Sequence, residues 1–320
     1  VFLSFAGIKA DNLEDAKSQI KLQIAGLYEQ NRYLLETNLL SDNEKNMYQS
    51  MTMTMSDVEC CAAINQMCLY LSRYYKKNVI VLLDEYDTPM QEAYIHGYWN
   101  EFTAFIRNLF NSTFKTNQYL ERGIMTGITR VSKESVFSDL NNLNVVTTTS
   151  DEYSTCFGFT QEEVTSALEL FGCMDQLEEV QKWYDGFTFG SSRDIYNPWS
   201  ITNYLDKKRF SPYWAATSSN GLINRLIQSA SAEVKMYMED LLKDKEIIVN
   251  FDEQIVFDQL DSNKDAIWSL LVASGYLKVE KNIRKELKKL LKRRELLLKH
   301  LIGLIKKLKK KKLMMVKIIN

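Results

Sequence analysis

The stretch that decides the fold is VIVLLDEYDTPM, residues Val79–Met90. Five apolar residues lead directly into Asp84 and Glu85, and Asp87 follows after one tyrosine. A short run of β-branched and aliphatic residues is typical of a buried strand, whereas a carboxylate is rarely buried unless it is paired. The stretch therefore predicts a buried strand that presents acidic side chains at its carboxyl end.

Strands and helices are predicted to alternate on both sides of this stretch. The further strands are expected at residues 1–5 (VFLSF), Gly123–Ile128 and Asn144–Thr148, and the helices from Asn12 to Leu35, from Ser56 to Tyr75 and from Gln91 to Phe114. Continuously apolar strands are typical of a parallel sheet that is buried on both faces. We therefore predict an α/β fold with a mostly parallel sheet covered by helices, and a site at the carboxyl ends of the strands.

The second half of the chain has a mainly helical pattern. Thr160 and Glu163 have the spacing of a capping box at the start of a helix. Asn197 followed by Pro198 favours another helix start. We therefore predict three parts: an N-terminally truncated α/β core at residues 1–159, a helical lid domain at residues 160–280 and a basic tail at residues 281–320.

The tail differs in composition from the rest of the chain. It holds 16 Lys and Arg against 2 Asp and Glu, whereas the remainder holds 24 against 39, so a formal net charge of −1 hides an acidic body with a basic end. Three interpretations remain open: a solvated basic helix, a helix that binds nucleic acid or a membrane surface, and a low-complexity terminus in place of a following domain. We favour the third, because no other segment has this composition.

The composition argues against several kinds of site. The five cysteines are odd in number and lack CxxC spacing, which disfavours a disulfide framework or a zinc site. The two histidines lie far apart in the sequence, which disfavours a histidine-based hydrolase. No apolar run reaches the ~20 residues that span a bilayer, and the first residues lack the basic region of a signal peptide. We therefore expect a cytoplasmic protein with reduced cysteines and no membrane partner.

An apolar strand followed by Asp-Glu is the pattern of the Walker B element of P-loop nucleoside triphosphatases. In that arrangement Asp84 holds Mg²⁺ through water, because Mg²⁺ prefers oxygen ligands and keeps much of its hydration. Glu85 polarises the water that attacks the γ-phosphate of ATP, in a reaction that depends mostly on positioning and charge. The alternative is a strand end whose acids face solvent or a helix N-terminus.

The next predicted strand adds candidates for the same edge of the sheet. It ends in TGITR, where Thr126 or Thr129 is placed to hold the attacking water and Arg130 to stabilise the transferred charge. Ordinary strand propensity explains the two threonines equally well. A surface ion pair is the alternative for Arg130.

Aromatic residues beside turn formers mark the second half of the chain. They occur in KWYDGF, which contains Trp183 and Tyr184, and in YNPW, which contains Tyr196 and Trp199. We interpret them as a packed platform that fixes the lid against the sheet. The alternative is a surface that grips a peptide or nucleic acid strand by stacking.

Seven ordered segments give the chain a family resemblance. They are LLDEYDTPM, TGITRVSKESVFSDLNNL, YSTCFGFTQEEV, KWYDGFTFG, IYNPWSITNYL, YWAATSSNGLI and SLLVASGYL. Over about residues 1–280 the chain resembles the bacterial AAA-ATPase-like proteins. The resemblance implies a P-loop NTPase-like sheet followed by a lid, with ATP and Mg²⁺ as cofactors. In that family a PD-(D/E)XK nuclease-type domain commonly follows, which implies nucleic acid as a further partner.

The chain departs from the family pattern at both ends. The family's phosphate-binding loop precedes the strand that VFLSF resembles, and no GxxxxGK[ST] occurs in the 320 residues. That motif supplies the backbone amides and the lysine that hold the β- and γ-phosphates. The resemblance also ends near Val279, before any nuclease domain. We therefore expect a fragment of a longer ATPase, inactive by itself, or else a non-catalytic binding or scaffold module that keeps the fold.

Overall fold

The computed structural model describes residues 1–128, 140, 143–214, 226–228, 230–243, 245–249, 260, 266–273 and 277. Residues Val1–Leu277 make up one compact unit. The predictions made for Thr129, Arg130 and the tail at residues 281–320 lie outside the described residues.

Three parallel strands form the central sheet, in the order β1 (Phe2–Ser4), β2 (Val79–Asp84) and β3 (Leu120–Met125). Phe2 lies beside Leu82 and Ser4 beside Asp84 across the first pair, and Leu82 lies beside Ile124 across the second. The sequence pattern thus predicts the mixed α/β architecture and the parallel pairing correctly. The third strand, however, begins and ends earlier in the chain than predicted.

Five helices that lie between these strands along the chain contribute to a first hydrophobic core. They are α1 (Leu13–Gln30), α2 (Asp42–Ser50), α3 (Asp57–Tyr75), α4 (Thr88–His96) and α5 (Trp99–Phe110), with a 3₁₀ helix at Arg32–Glu36. The start of α3 is confirmed, since Ser56 and Glu59 each bond the backbone of the other in a capping box. Ser41 and Glu44 form the same box at α2. The sequence prediction missed α2 because its polar sequence, DNEKNMYQS, lacks apolar periodicity.

The single helix predicted from Gln91 to Phe114 is wrong, because the chain breaks at Gly97. Gly97 adopts a φ of 82° and donates its N–H to the carbonyl of Ala93, a left-handed cap that glycine takes without strain. The chain then restarts as α5 and ends in a π-helical turn at Asn111–Lys115. The prediction failed because buried apolar residues recur at helical spacing on both sides of the glycine.

Only one face of the sheet is buried in the described part of the chain. Along β2, Val81 and Leu83 are 1% and 3% exposed, whereas Leu82 between them is 39% exposed. Its neighbours Phe2 and Ile124 are exposed as well, so three apolar side chains cross the sheet as an exposed row. The prediction of burial on both faces is therefore wrong here. An apolar run permits burial of a strand on both faces but does not require it. The described helices pack in one core with the opposite face of the sheet.

A second hydrophobic core forms later in the chain. It is built from α6 (Gln161–Leu170), α7 (Leu177–Tyr184), the antiparallel strands β4 (Asp185–Phe189) and β5 (Ser192–Tyr196), and α8 (Pro198–Lys207). The side chains of Thr160 and Asn197 cap α6 and α8 as the sequence predicts. Tyr184 and Tyr196 are buried in this core. The tyrosines of the aromatic motifs therefore contribute packing here, whereas Trp183 and Trp199 are exposed. The hairpin between the motifs was not predicted.

The strand predicted at Asn144–Thr148 does not form. Instead, the N–H of Thr147 donates to the hydroxyl of Ser150 over 3.0 Å, and the N–H of Ser150 donates to the carbonyl of Thr147 over 3.0 Å. Short polar side chains compete in this way with the ladder bonds of a strand. A run of threonines thus favours a local turn at this position.

Two more helices, α9 (Ala232–Leu241) and α10 (Ala266–Ala273), contribute to the first core. Val234 of α9 and Trp268 of α10 are 4% and 1% exposed within it. The chain therefore leaves the first core, builds the second, and returns. The domain boundaries at residues 159 and 280 stay predictions.

Candidate functional site

Three polar side chains line up where the parallel strands end. Thr126, one residue beyond β3, donates its hydroxyl to Asp84 Oδ1 over 2.6 Å, and Ser4 at the end of β1 donates to Asp84 Oδ2 over 3.3 Å. The backbone continues this line, because Thr126 N–H donates to the Leu83 carbonyl and Tyr86 N–H to the Thr126 carbonyl, both over 3.0 Å. The register thus gathers three oxygen-bearing side chains into a strand-end row of Ser4, Asp84 and Thr126.

Glu85 follows in a left-handed backbone conformation. Its φ is 49°, a region that costs an L-residue on the order of 1–3 kcal/mol and that is enriched at functional sites. Its amide donates to the Thr126 hydroxyl oxygen over 3.4 Å, and its Oε2 accepts from the Thr88 hydroxyl over 3.0 Å. The exposed carboxylate of Glu85 is therefore held beside the strand-end row by the first residue of α4.

Asp87 does not cap α4 with its side chain. It occupies the N-cap position, with Pro89 in the first turn, but its carboxylate makes no cap bond. The residue is 1% exposed, and its Oδ2 accepts from Gln91 Nε2 over 3.1 Å. A Cβ built on Gly127 would lie 2.5 Å from Asp87 Oδ1 and 2.8 Å from Tyr86 Cε1. Asp87 is therefore a buried part of the turn, packed closely against the backbone that follows β3.

Comparison with known families identifies the region that holds this row. The model of a family described as "Predicted AAA-ATPase" covers β1 to β3 together with the turn at Glu85. Residues 1–137 match the AAA-ATPase-like family. The match includes every residue of the strand-end row.

One relative is similar to part of the chain. It is named "Uncharacterized protein in vnfD 5'region", from Azotobacter chroococcum mcd 1, and is 32% identical over 146 residues. The aligned part covers 45% of this chain and 28% of that protein, so the chain spans less than a third of the relative's length. No solved structure matches the chain, and the P-loop form of the sheet stays a prediction. None of the described helices combines the length and apolarity needed to cross a membrane.

The matched region, residues 1–137, brings together three of the residues chosen from the sequence: Asp84, Glu85 and Thr126. Sequence reasoning missed Ser4, although VFLSF carries a signal, since its serine is the polar residue near the end of an apolar strand. It also missed Thr88. The contact of Thr88 with Glu85 depends on the left-handed backbone conformation of Glu85, which the sequence pattern does not predict.

The oxygen atoms of the strand-end row suit a hydrated Mg²⁺. A carboxylate and two hydroxyls are hard oxygen donors, and Mg²⁺ typically binds one or two carboxylates and keeps several waters. Among the described residues, no three His, Cys, Asp or Glu side chains gather as a metal cluster, so Asp84 would carry the contact. The sequence offers fewer groups that could bind the phosphates of a nucleotide, because it lacks the GxxxxGK[ST] motif.

Proposed function

We propose that residues 1–137 are the Mg²⁺- and ATP-binding part of an ATPase, in which Asp84 holds the hydrated ion and Glu85 orients water. One observation carries the proposal. The Asp84 carboxylate lies between the hydroxyls of Ser4 and Thr126 at the carboxyl edge of a parallel sheet, with Glu85 beside it. The family match over the same residues supports a nucleotide as the ligand.

Each residue has a separate task in this proposal. Bound Mg²⁺ would offset the negative charge of the phosphates. Asp84 keeps one carboxylate orientation, because a hydroxyl bonds each of its oxygens. Thr126 joins the two acids, since it bonds the side chain of Asp84 and the amide of Glu85. The predicted roles of Thr129 and Arg130, to hold the attacking water and to stabilise transferred charge, remain part of the proposal.

We assign the activity to a full-length parent and expect no ATP turnover from the 320-residue chain. The reason is the missing phosphate-binding motif, since backbone amides and a lysine are what hold the β- and γ-phosphates. The parent would couple ATP hydrolysis in the cytoplasm to a nuclease domain or another partner, with nucleic acid as the further ligand. A non-catalytic scaffold that keeps the ATPase fold is the second candidate, and the same missing motif favours it.

The experiment measures phosphate release and calorimetric binding of ATP with Mg²⁺. In the parent, Glu85→Gln should abolish hydrolysis and retain ATP binding, because water orientation matters mainly in the transition state. Asp84→Asn should instead weaken the Mg²⁺-dependent part of binding. The control is Glu121→Gln, which changes an exposed acid near the amino end of β3 and should leave both quantities unchanged.

Two results would contradict the proposal. Hydrolysis by Glu85→Gln at the parent rate would show that the strand end is not a Walker B site, and the scaffold candidate would then lead. Turnover by the 320-residue chain that Glu85→Gln removes would show that another segment replaces the phosphate loop.

A further inference from the structure

An amine nitrogen and a sulfur lie in contact on the second hydrophobic core. Lys208 Nζ is 2.7 Å from Cys173 Sγ and donates to the carbonyl of Phe171 over 3.1 Å. The same ammonium lies 4.8 Å from the centroid of the Phe171 ring. A lysine side chain normally keeps much rotamer freedom. Here the three contacts hold it in one arrangement, in which the nitrogen contacts the sulfur.

The backbone fixes both ends of the contact. Lys208 follows α8 as its C-cap, in a left-handed conformation with a φ of 53°. Cys173 follows Gly172, whose φ of 66° turns the chain after α6, and the Cys173 N–H donates to the Leu168 carbonyl over 2.8 Å. The contact therefore joins two well-defined turns that are 35 residues apart in the sequence.

Other cysteines have different surroundings. Burial raises the pKa of Cys60 to about 12 and that of Cys61 to about 11, which keeps both thiols protonated and unreactive. The lysines whose charges act on Cys61 are Lys17 and Lys21, and both bond the carboxylate of Asp57, over 2.9 and 2.8 Å. Cys68 bonds the side chain of Asn117, an amide that is not a nucleophile. Cys173 differs from these three cysteines because a lysine amine contacts its sulfur.

We propose that Cys173 and Lys208 are a modification site at which hydrogen peroxide produces a covalent sulfur–nitrogen cross-link. Peroxide oxidises the Cys173 thiol to a sulfenic acid by two electrons and is itself reduced to water. The Lys208 amine, after losing its extra proton to solvent, attacks the sulfur. The S–N bond forms, the S–O bond breaks, and the departing hydroxide takes a proton from the nitrogen as a second water. The product, a sulfenamide, has lost two hydrogens and is about 2 Da lighter than the reduced chain.

The position of the pair favours this reaction over competing ones. Cys173 keeps 7% of its surface exposed, which admits a small oxidant and hinders the thiol of another protein. Because Lys208 already touches the sulfur, its attack is intramolecular and has a high effective concentration. The cross-link ties the turn after α6 to the end of α8 and closes a loop, which restricts the unfolded chain.

The test uses the full chain, treated with hydrogen peroxide, blocked with a thiol reagent, digested at glutamate and analysed by mass spectrometry. We expect one linked product of the peptides that contain Cys173 and Lys208, about 2 Da lighter than their sum and separated again by dithiothreitol. Lys208→Arg keeps the positive charge and should give no link. The exposed Cys156, which lies in the same digest, reports that the oxidant acted.

Three outcomes would overturn the cross-link. One is oxidation of Cys173 to a sulfinic acid in the wild type without a linked product. A second is a linked product about 14 Da heavier than the reduced pair, which would show an N–O–S bridge in place of the S–N bond. The third is a melting temperature that oxidation leaves unchanged in the wild type. Loop closure should raise the Tm of the oxidised wild type by about 5 °C and leave the Tm of oxidised Lys208→Arg unchanged.

Discussion

Thr126 donates its hydroxyl to Asp84 Oδ1 across 2.6 Å and so joins the end of one strand to the end of its neighbour. The same hydroxyl oxygen receives the amide of Glu85 over 3.4 Å. One side chain therefore orients the carboxylate of the first acid and the backbone of the second. The arrangement depends on strand register, because a slip of one residue would turn Thr126 to the other face of the sheet.

Thr126→Val should lower the free energy of unfolding by about 0.5–1.5 kcal/mol, since it keeps the side-chain shape and removes the hydroxyl. Thr126→Ser keeps the hydroxyl and should lie close to the wild type. Urea denaturation of the three proteins measures the difference. Equal losses in both variants would show that the methyl group, and not the bond to Asp84, stabilises the strand ends.

The exposed row of Phe2, Leu82 and Ile124 predicts that two adjacent leucines of β2 differ in how much stability they contribute. Leu83→Ala should lower the free energy of unfolding by about 2–5 kcal/mol, because it leaves a cavity in a core where this residue is 3% exposed. Leu82→Ala should cost only about 0.5–1 kcal/mol, because the side chain is already partly in water. Chemical denaturation of both variants decides the point. Similar losses would mean that both faces of the sheet are covered in solution.

Gly127→Ala should destabilise the protein by about 1–3 kcal/mol, because the added methyl would meet Asp87 Oδ1 at 2.5 Å and the Tyr86 ring at 2.8 Å. Gly26→Ala is the matched control. Gly26 lies within α1 and a Cβ there meets nothing within 4 Å, so alanine should raise stability by about 0.5–1 kcal/mol. Thermal and urea unfolding measure both. A neutral Gly127→Ala would contradict the close approach of Asp87.

Cys60 should make the protein less stable at alkaline pH. Burial raises the pKa of its thiol to about 12, from an ordinary value of 9.0. Between these values the unfolded chain loses the thiol proton while the folded chain keeps it, so the free energy of unfolding falls as the pH rises from about 9 towards 12. Cys60→Ala should reduce this decline, and Cys156→Ala, at an exposed position, should not. Urea midpoints measured at pH 8, about 9.5 and about 11 test the slopes.

The strand-end acids and several helix starts are predictable because their signals are local in sequence. Asp84 and Glu85 follow an apolar run directly, and Ser56 with Glu59 carries its own capping bonds. The break at Gly97 lies within an apolar pattern that continues through it, so periodicity alone conceals it.

Features that depend on residues far apart in the sequence could not be predicted, for a different reason. Ser4 joins the site only because β1 pairs with β2 in a register that brings it beside Asp84. The exposure of Leu82 depends on which elements cover each face of the sheet, and an apolar run carries no information about that. Asp87 resembles a helix cap in sequence, whereas its burial follows from the path of the backbone at Gly127.

The order in which the two hydrophobic cores occur along the chain has a consequence for folding kinetics. Leu140 and Leu226 both belong to the first core, and the second core lies between them in sequence. Helices α9 and α10 therefore dock only after a long segment has been looped out, at an entropic cost that grows slowly with its length. If the second core forms early through its local contacts, the bridge between Phe159 and Tyr196 shortens that loop. A mutation in the hairpin would then delay the docking of α10, a helix that belongs to the other core.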